Sequence, residues 1–401
     1  MSKETVLPSH WEIKKMPEVV TWGSGGTPKA TEKNYYENGT IPWLIIGDLN
    51  DSVVNSSANK ITELGLKNSS AKMIPVGTLL VAMYGSIGKL GITGIECCTN
   101  QAIAFAKELH GVTIKYMFYY MSMIKPKLIS MGKGGTQKNI SQSVLKSLDV
   151  VVPPIPEQER IVSKIEELFS KLDASVAELQ TAKEKLKVYR QAVLKEAFTP
   201  GKDWKKLKAL DVGEVKLGRQ RSPQNVSNLY PTKYIRAANI TEQGLDLSDV
   251  LEMEFTPTEQ SKYTLQENDI VISEASGSPT QVGKPALWKC ELQTCCFQNT
   301  VIRHRVKEAN PEYVFWYYKY LYISGYFSRI VGGVGINHLG AKNFSNIEIP
   351  IPSVLDQTKI VQRIERVLSV YGNIEQTIDT SLQQAEALRQ SILKQAFEGG
   401  L

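Results

Sequence analysis

Cysteine is scarce and odd in number, with five in 401 residues. That excludes a disulfide framework and fits a reducing compartment. Histidine is scarcer still: there are four, His10, His110, His304 and His338, and none has a counterpart in the other half of the chain. No apolar run approaches the roughly 20 residues that a membrane span needs. The nearest, Val76 to Ile92, is interrupted by four glycines and Lys89, so no membrane partner is expected. Neither sign of charge dominates; 47 Lys and Arg against 41 Asp and Glu leave +6, which permits a polyanionic partner without requiring one. The opening MSKETVLPSHWEIKK has no apolar core or cleavage site, so neither export nor organelle import is expected and a cytoplasmic location is. With 42% apolar and 22% charged residues, the chain has the composition of folded domains and the length for two or three.

What the chain does contain is itself, twice. EQERIVSKIEELF (Glu157 to Phe169) returns as DQTKIVQRIERVL (Asp356 to Leu368), and YRQAVLKEAF (Tyr189 to Phe198) returns as LRQSILKQAF (Leu388 to Phe397), at one constant offset without a gap. The stretches between correspond more loosely, as surface loops of differing length allow. IPWLIIGDLN (Ile41 to Asn50) matches TKYIRAANI (Thr232 to Ile240), and VGTLLVAMYGSIGKLGI matches ENDIVISEASGSPTQVGKPAL. CCTNQAIAF then matches CCFQNTVIR, followed by the aromatic runs from Lys115 and Glu312. A period this long is too great for a solenoid and reads as domain duplication.

The repeated blocks predict long helices. From Ile161 to Val193 and from Ile360 to Ile392, apolar residues recur at alternating spacings of four and three, a sustained heptad seam. Proline-rich leads precede both blocks, while Thr199-Pro200-Gly201 and Gly399-Gly400 close them. Each helix would be a rod of about 60 Å. Two matched copies related by a pseudo-twofold axis are expected to pack antiparallel. Charge within the helices balances, so the excess positive charge lies in the blocks outside them.

Those blocks carry short β-rich runs such as TLLVAMY and DIVISEA. Helices are expected over Tyr116 to Leu128 and Pro311 to Ile330. Between the strands lie loops rich in Gly, Ser, Lys, Arg and Asn: Thr21–Lys29, Tyr84–Lys89, Gly132–Asn139, Leu217–Ser222, Ala275–Lys284 and Val331–His338. Small residues let backbone amides approach phosphates, Lys and Arg neutralise them, and Asn, Gln and Arg can read base edges. Solvated tight turns have the same composition; recurrence at matching places in both copies favours a binding role.

Catalytic signatures are missing. YGSIGK and GSPTQVGKP lack the spacing of a phosphate-binding nucleotide loop. NPEY (Asn310 to Tyr313) only imitates a methyltransferase signature and opens an aromatic helix. Cys97-Cys98 and Cys295-Cys296 occupy equivalent positions without His at ligand spacing, so they read as buried structural thiols and no metal is expected. The aromatic runs have helical spacing and read as core rather than base-stacking platforms.

Two variable blocks, each followed by a helix with the Pro-x-Pro lead, Glu/Asp-Gln-x-x-Ile-Val and Arg-Gln-x-x-Leu-Lys-x-Ala-Phe, together resemble the specificity subunit of type I restriction-modification systems, over essentially the whole chain. The resemblance implies an α+β fold: two similar α/β target recognition domains, residues 1–152 and 200–351, separated by a two-helix antiparallel coiled coil of conserved spacer helices, residues 153–199 and 352–401. It implies that the chain binds double-stranded DNA, reads a split sequence with a fixed gap, and is not itself an enzyme. Two modification subunits would supply S-adenosylmethionine-dependent adenine methylation, and ATP-dependent restriction subunits would supply cleavage; no cofactor is expected on this chain. By position in the loops, DNA contact is expected from Lys29, Asp48, Asn50, Ser86, Lys89, Lys133 and Lys138 in the first domain. In the second, it is expected from Arg219, Arg221, Arg236, Asn239, Ser276, Ser278, Lys284, Asn337 and His338. On the helices, Arg160, Lys164, Arg190, Gln191, Lys359, Arg363, Arg389 and Gln390 are expected to face the modification subunits. A stand-alone two-headed DNA-binding protein and a non-DNA scaffold remain as rivals.

Overall fold

The computed structural model describes residues 7–134, 137–220, 229–331 and 337–401. The chain forms two compact units, one from Met1–Leu179 with Thr380–Leu401 and the other from Gln180–Asp379.

The first unit is built on a five-stranded sheet in the order Val20–Ser24, Ile103–Leu109, Leu79–Ala82, Leu90–Thr93, Ser52–Val54. Its pairs are antiparallel except the last, which is parallel. All four residues of the central strand, Leu79 to Ala82, are buried, because both faces of the sheet are covered. Leu79 and Val81 face a core with Tyr116, Met117 and Met121 of the Ile114–Met131 helix. Leu80 and Ala82 point the other way, as strand alternation requires, into a second core with Leu44, Ile74, Cys97 and Phe105. The aromatic run is thus core, as its spacing predicts.

The second unit repeats the plan with a four-stranded sheet, Gly213–Leu217, Val301–Val306, Ile270–Ser273, Pro285–Leu287. Ile270 and Ile272 face Tyr313 and Tyr318 of the Pro311–Ile323 helix, while Val271 faces Phe297 and Trp288. One expectation needs correction: the helix does not run unbroken to Ile330. It stops at Ile323, and a second short helix, Tyr326–Ile330, follows Gly325, whose φ of 72° lies in the left-handed region that interrupts the helical path. Asn310 of the NPEY segment caps this helix, its side-chain oxygen accepting the N–H groups of Glu312 at 2.8 Å and Tyr313 at 3.2 Å. Thr113 caps the equivalent helix of the first unit.

The two long helices span Ile155–Ala197 and Val354–Phe397. Each unit contains the start of the helix that follows its own domain and the end of the other. In the second unit, Lys183 pairs with Asp379 at 2.5 Å, Arg190 with Glu375 at 2.8 Å and Glu196 with Arg363 at 2.8 Å. Partner numbers fall along one helix as they rise along the other, so the segments are antiparallel. The first unit has the same sense: Asp173 pairs with Arg389, while Ile161 and Ile165 share a core with Ala396 and Phe397. The seam is only half closed; Ile161, Ile165, Leu186, Ile364, Ile378 and Ile392 are buried, but Tyr189 and Leu388 are exposed.

Each long helix is fastened at its start by a buried glutamine. Gln158 accepts the N–H of Thr113 at 2.9 Å and donates to the carbonyls of Gly111 and Pro153, both at 2.8 Å. Gln357 accepts the N–H of Asn310 at 2.8 Å and donates to the carbonyl of Pro352 at 3.0 Å. The glutamine common to both repeat motifs therefore ties the long helix to the entrance of the domain helix. At the other end, Phe198 packs against Tyr313, Tyr317 and Tyr320, and Phe397 packs against Tyr116 and Tyr120.

Candidate nucleic-acid interface

In each unit, the loop that leaves the central strand is paired with the segment that enters a short helix much later in the chain. In the first, Gly85 N–H donates to Lys138 at 3.1 Å, Tyr84 bridges Asn139, and Ile140 N–H donates to Met83 at 2.9 Å. Lys133 and Asn139 exchange backbone hydrogen bonds of 3.0 and 2.8 Å. Ser86, Lys89, Lys133 and Lys138 are thereby gathered on adjoining loops. Gly85 and Gly88 hold the turn at φ of 63° and 74°, where other residues are strained.

The second unit makes the same pairing more regularly. Ala275–Ser276 runs antiparallel to Asn337–His338. The junction is locked by Glu274, only 5% exposed, whose carboxylate accepts from His338 Nδ1 at 3.0 Å and from Gly340 N–H at 3.2 Å. Ser276, Ser278 and His338 are brought together here, with the Asn337 backbone in the ribbon. Arg221 lies outside the described residues.

A third element is a single turn of 3-10 helix at matching positions, Ile46–Asp48 and Ala237–Asn239. Asp48 accepts the N–H of Ile45 at 2.8 Å, and Asn239 accepts that of Arg236 at 3.0 Å. Asn239, expected at the DNA, is held inside its own loop. It is 3% exposed, and its amide also donates to the carbonyls of Asp246 and Asp249, so it holds the loop. Asp48 is likewise engaged by Ser57 at 3.1 Å.

Arg219 is engaged within the fold in the same way. It is 8% exposed, hydrogen-bonded to Glu259 at 2.6 Å and laid over the Phe255 ring, so its guanidinium is satisfied inside the fold. Arg236 is paired with Asp249, Lys29 with Glu32 at 3.3 Å on a different loop, and Asn50 accepts from Ser52 at 2.8 Å. Lys284 is 8% exposed and donates to Gln281, leaving it on the floor of a cleft rather than at a loop tip.

Three of the cations assigned to partner contact pair across to the facing helix. Arg190 and Arg363 bridge to the facing helix as given above, and Arg389 pairs with Asp173 while its guanidinium lies 4.3 Å from the centre of the Phe169 ring. These charges hold the two helices together. Arg160 and Gln191 are exposed, and Lys164 and Lys359 pair with residues three positions away on their own helices. Gln390 lines a cleft of about 680 Å³ with Asn50, Lys125 and Glu386.

The four paired cysteines are buried; burial raises Cys97 and Cys296 to about 11 and Cys98 and Cys295 to about 12, so none is a thiolate at neutral pH. Among the described residues, no group of three or more His, Cys, Asp and Glu could hold a metal ion, and no helix is long and apolar enough to cross a membrane.

Fold and site together define a duplicated recognition protein: two like domains, each presenting a paired-loop surface, and each with a segment of both long helices. The family described as the type I restriction modification DNA specificity domain matches it at residues 8–184 and again at 201–384, and the chain belongs to that family. It is 23% identical to the type I restriction enzyme EcoKI specificity subunit of Escherichia coli K12 over 98% of this chain and 90% of that one. It is 30% identical to the EcoR124I/EcoR124II specificity subunit of Escherichia coli over 42% of this chain and 43% of that one. Its fold is similar to a chain from a structural study of assembly and conformational transition of the type I R-M system, at TM-score 0.78 and 18% identity, covering 99% of this chain and 100% of that one. The crystal structure of the HsdS subunit from Thermoanaerobacter tengcongensis is similar at TM-score 0.59 and 18% identity, over 98% of both chains.

Proposed function

We propose that this chain is the non-catalytic DNA-reading subunit of a type I restriction-modification complex, with residues 1–152 and 200–351 each reading one half of a split target. The observation that carries the reading is the duplicated surface: two domains of the specificity family, each joining two distant loops of Gly, Ser and Lys into one ribbon. Family membership weighs against a stand-alone architectural protein. Ser86, Lys89, Lys133 and Lys138 contact DNA in the first domain, and Ser276, Ser278, Asn337 and His338 in the second. Asn50 and Arg236 act as flanking contacts, Lys29 makes a further one from its own loop, and Asp48, Asn239 and Arg219 shape the loops that carry the others.

In this reading the helices of residues 153–199 and 352–401 set the gap between half-sites and receive two modification subunits through Arg160, Lys164, Gln191, Lys359 and Gln390. Those subunits bind S-adenosylmethionine and methylate adenine in the cytoplasm; restriction subunits add ATP-dependent cleavage. A genome-wide map of modified bases, with and without this chain, tests the assignment. Loss of methyladenine at one split motif supports it, and an unchanged map in a strain expressing the partner subunits overturns it.

A further inference from the structure

Three residues past each capped 3-10 turn stands an acid, Asp51 in the first unit and Glu242 in the second. Each acid is gripped by a lysine from the domain helix: Lys125 lies 2.9 Å from Asp51, and Lys319 lies 3.7 Å from Glu242. A second lysine in each unit follows a left-handed glycine, Gly88 at 74° and Gly283 at 81°, and immediately precedes a strand of the main sheet; these are Lys89 and Lys284. Lys284 Nζ is 3.9 Å from Glu242, and Lys89 Nζ has the Ile46 carbonyl at 3.4 Å. The first set lines an open cleft; of the second, Glu242 and Lys284 line another, with Lys319 held against Glu242. The first, about 590 Å³, is bounded by Asp51, Ser86, Lys89, Lys125 and Lys138; the second, about 470 Å³, by Glu242, Ser276, Gln281 and Lys284.

The first cleft thus gathers Lys89, Lys125 and Lys138 against Asp51, and in the second unit Lys284 and Lys319 stand against Glu242, so positive charge is in excess beside the paired loops of both units. The second set is the more confined: the Lys284 and Lys319 side chains are 10% and 14% exposed. An ammonium withdrawn from water is stabilised by an anion, and the resident acid serves two of them. A compact point charge with three rotatable donors suits a phosphate rather than the planar edge of a base. Moreover, contacts that position a protein on DNA carry no sequence information, whereas contacts that specify must differ between half-sites. A feature that recurs in two domains of divergent loops belongs to the first kind.

The geometry points to a backbone phosphate clamp in each domain, Lys89 with Lys125 and Lys284 with Lys319, in which Asp51 and Glu242 hold the lysines ready and compete with the incoming phosphodiester. This rests on the DNA-reading assignment above. The clamp fixes each domain on the duplex so that the paired loops reach the groove.

The test uses the full chain co-purified with its modification subunits and a mixed-sequence duplex, with binding followed by fluorescence anisotropy from about 50 to about 200 mM salt. Lys89→Gln and Lys125→Gln, at partly exposed positions, each remove one phosphate contact, so over that range affinity falls about threefold to fourfold less than in the wild type. The Tyr322 hydroxyl donates to Glu242 at 2.6 Å; Glu242→Gln keeps that acceptor and tightens binding severalfold at low salt. Both effects leave the order of preference among a random-sequence library unchanged. Variants with the wild-type salt slope overturn the clamp and leave the triads as fold-stabilising ion pairs. A changed sequence preference overturns it in favour of base reading. A wild-type complex with no salt-dependent binding instead rejects the DNA assignment on which the clamp stands.

Discussion

Gln158 accepts the backbone N–H of Thr113 at 2.9 Å, so the first residue pair of the repeat motif reaches back to the cap of the domain helix. Gln357 does the same for Asn310. These contacts explain why a polar residue stands at the head of an apolar seam: three backbone groups that would otherwise be buried without partners are satisfied by one amide.

Replacing Gln158 with Ala leaves those backbone groups unpaired, and about 2–4 kcal/mol of stability is lost from the first unit. Gln357→Ala has a similar effect on the second. Chemical denaturation followed by domain-specific fluorescence reads both; equal loss from a surface substitution such as Gln191→Ala would remove the distinction.

His304 is fully buried, hydrogen-bonded to Tyr318 at 2.9 Å, and burial, aided by Arg303, lowers it to about 4. The folded state therefore holds the ring neutral while the unfolded state takes up a proton below about 6.5. The stabilisation is fully present above pH 6.5 and disappears as pH falls toward 4, amounting to at most about 3 kcal/mol. Melting temperature of the second unit should drop across this window, and His304→Gln should flatten that part of the profile.

Cys290 is exposed, and the other four thiols are buried and raised. A thiol reagent at pH 8 should label one cysteine rapidly in the native protein and all five in denaturant. Cys290→Ser should abolish the fast phase, and fast labelling of a second thiol would contradict the packing.

Phe198 is anchored among Tyr313, Tyr317 and Tyr320. Residues inserted after it enlarge the connection at Thr199–Lys202 instead of the helix. Matched heptads inserted after Leu179 and after Asp379 lengthen both helices by about 10 Å. The tolerated gap in the DNA should then grow by about one to three base pairs, given about 3.4 Å per pair, while the insertion after Phe198 leaves it unchanged. Mapping modified sites in cells carrying each insertion reads the gap directly.

The long helices were legible because heptad spacing, proline leads and glycine stops all describe local geometry. Duplication was legible because two copies of one helix motif share an offset. The pairing of Tyr84 with Asn139 was not, since nothing in either loop encodes a partner over fifty residues away. Nor could composition separate Lys133 at a loop from Arg219 over Phe255: the same charge serves solvent, partner or core according to which way the backbone turns it. Arg389 went to Asp173 and Phe169 for that reason. Asp51, Lys125, Glu242 and Lys319 are not legible in the sequence because three separate segments supply each triad; the acid standing three residues beyond the aligned turn in both copies is the one signal it carries.

The packing of Phe397 between Tyr116 and Tyr120 also sets an order of events during synthesis. The first unit closes only with residues Thr380–Leu401, although its sheet is translated first. About 200 residues intervene, and at 5–20 residues per second the ribosome needs on the order of 10–40 s to deliver them. Throughout that interval the aromatic face of the Ile114–Met131 helix waits uncovered, whereas the second unit inherits its Phe198 already made. The earlier-born domain is the later to mature, and a transcript cut short near its end leaves the beginning of the protein unfinished.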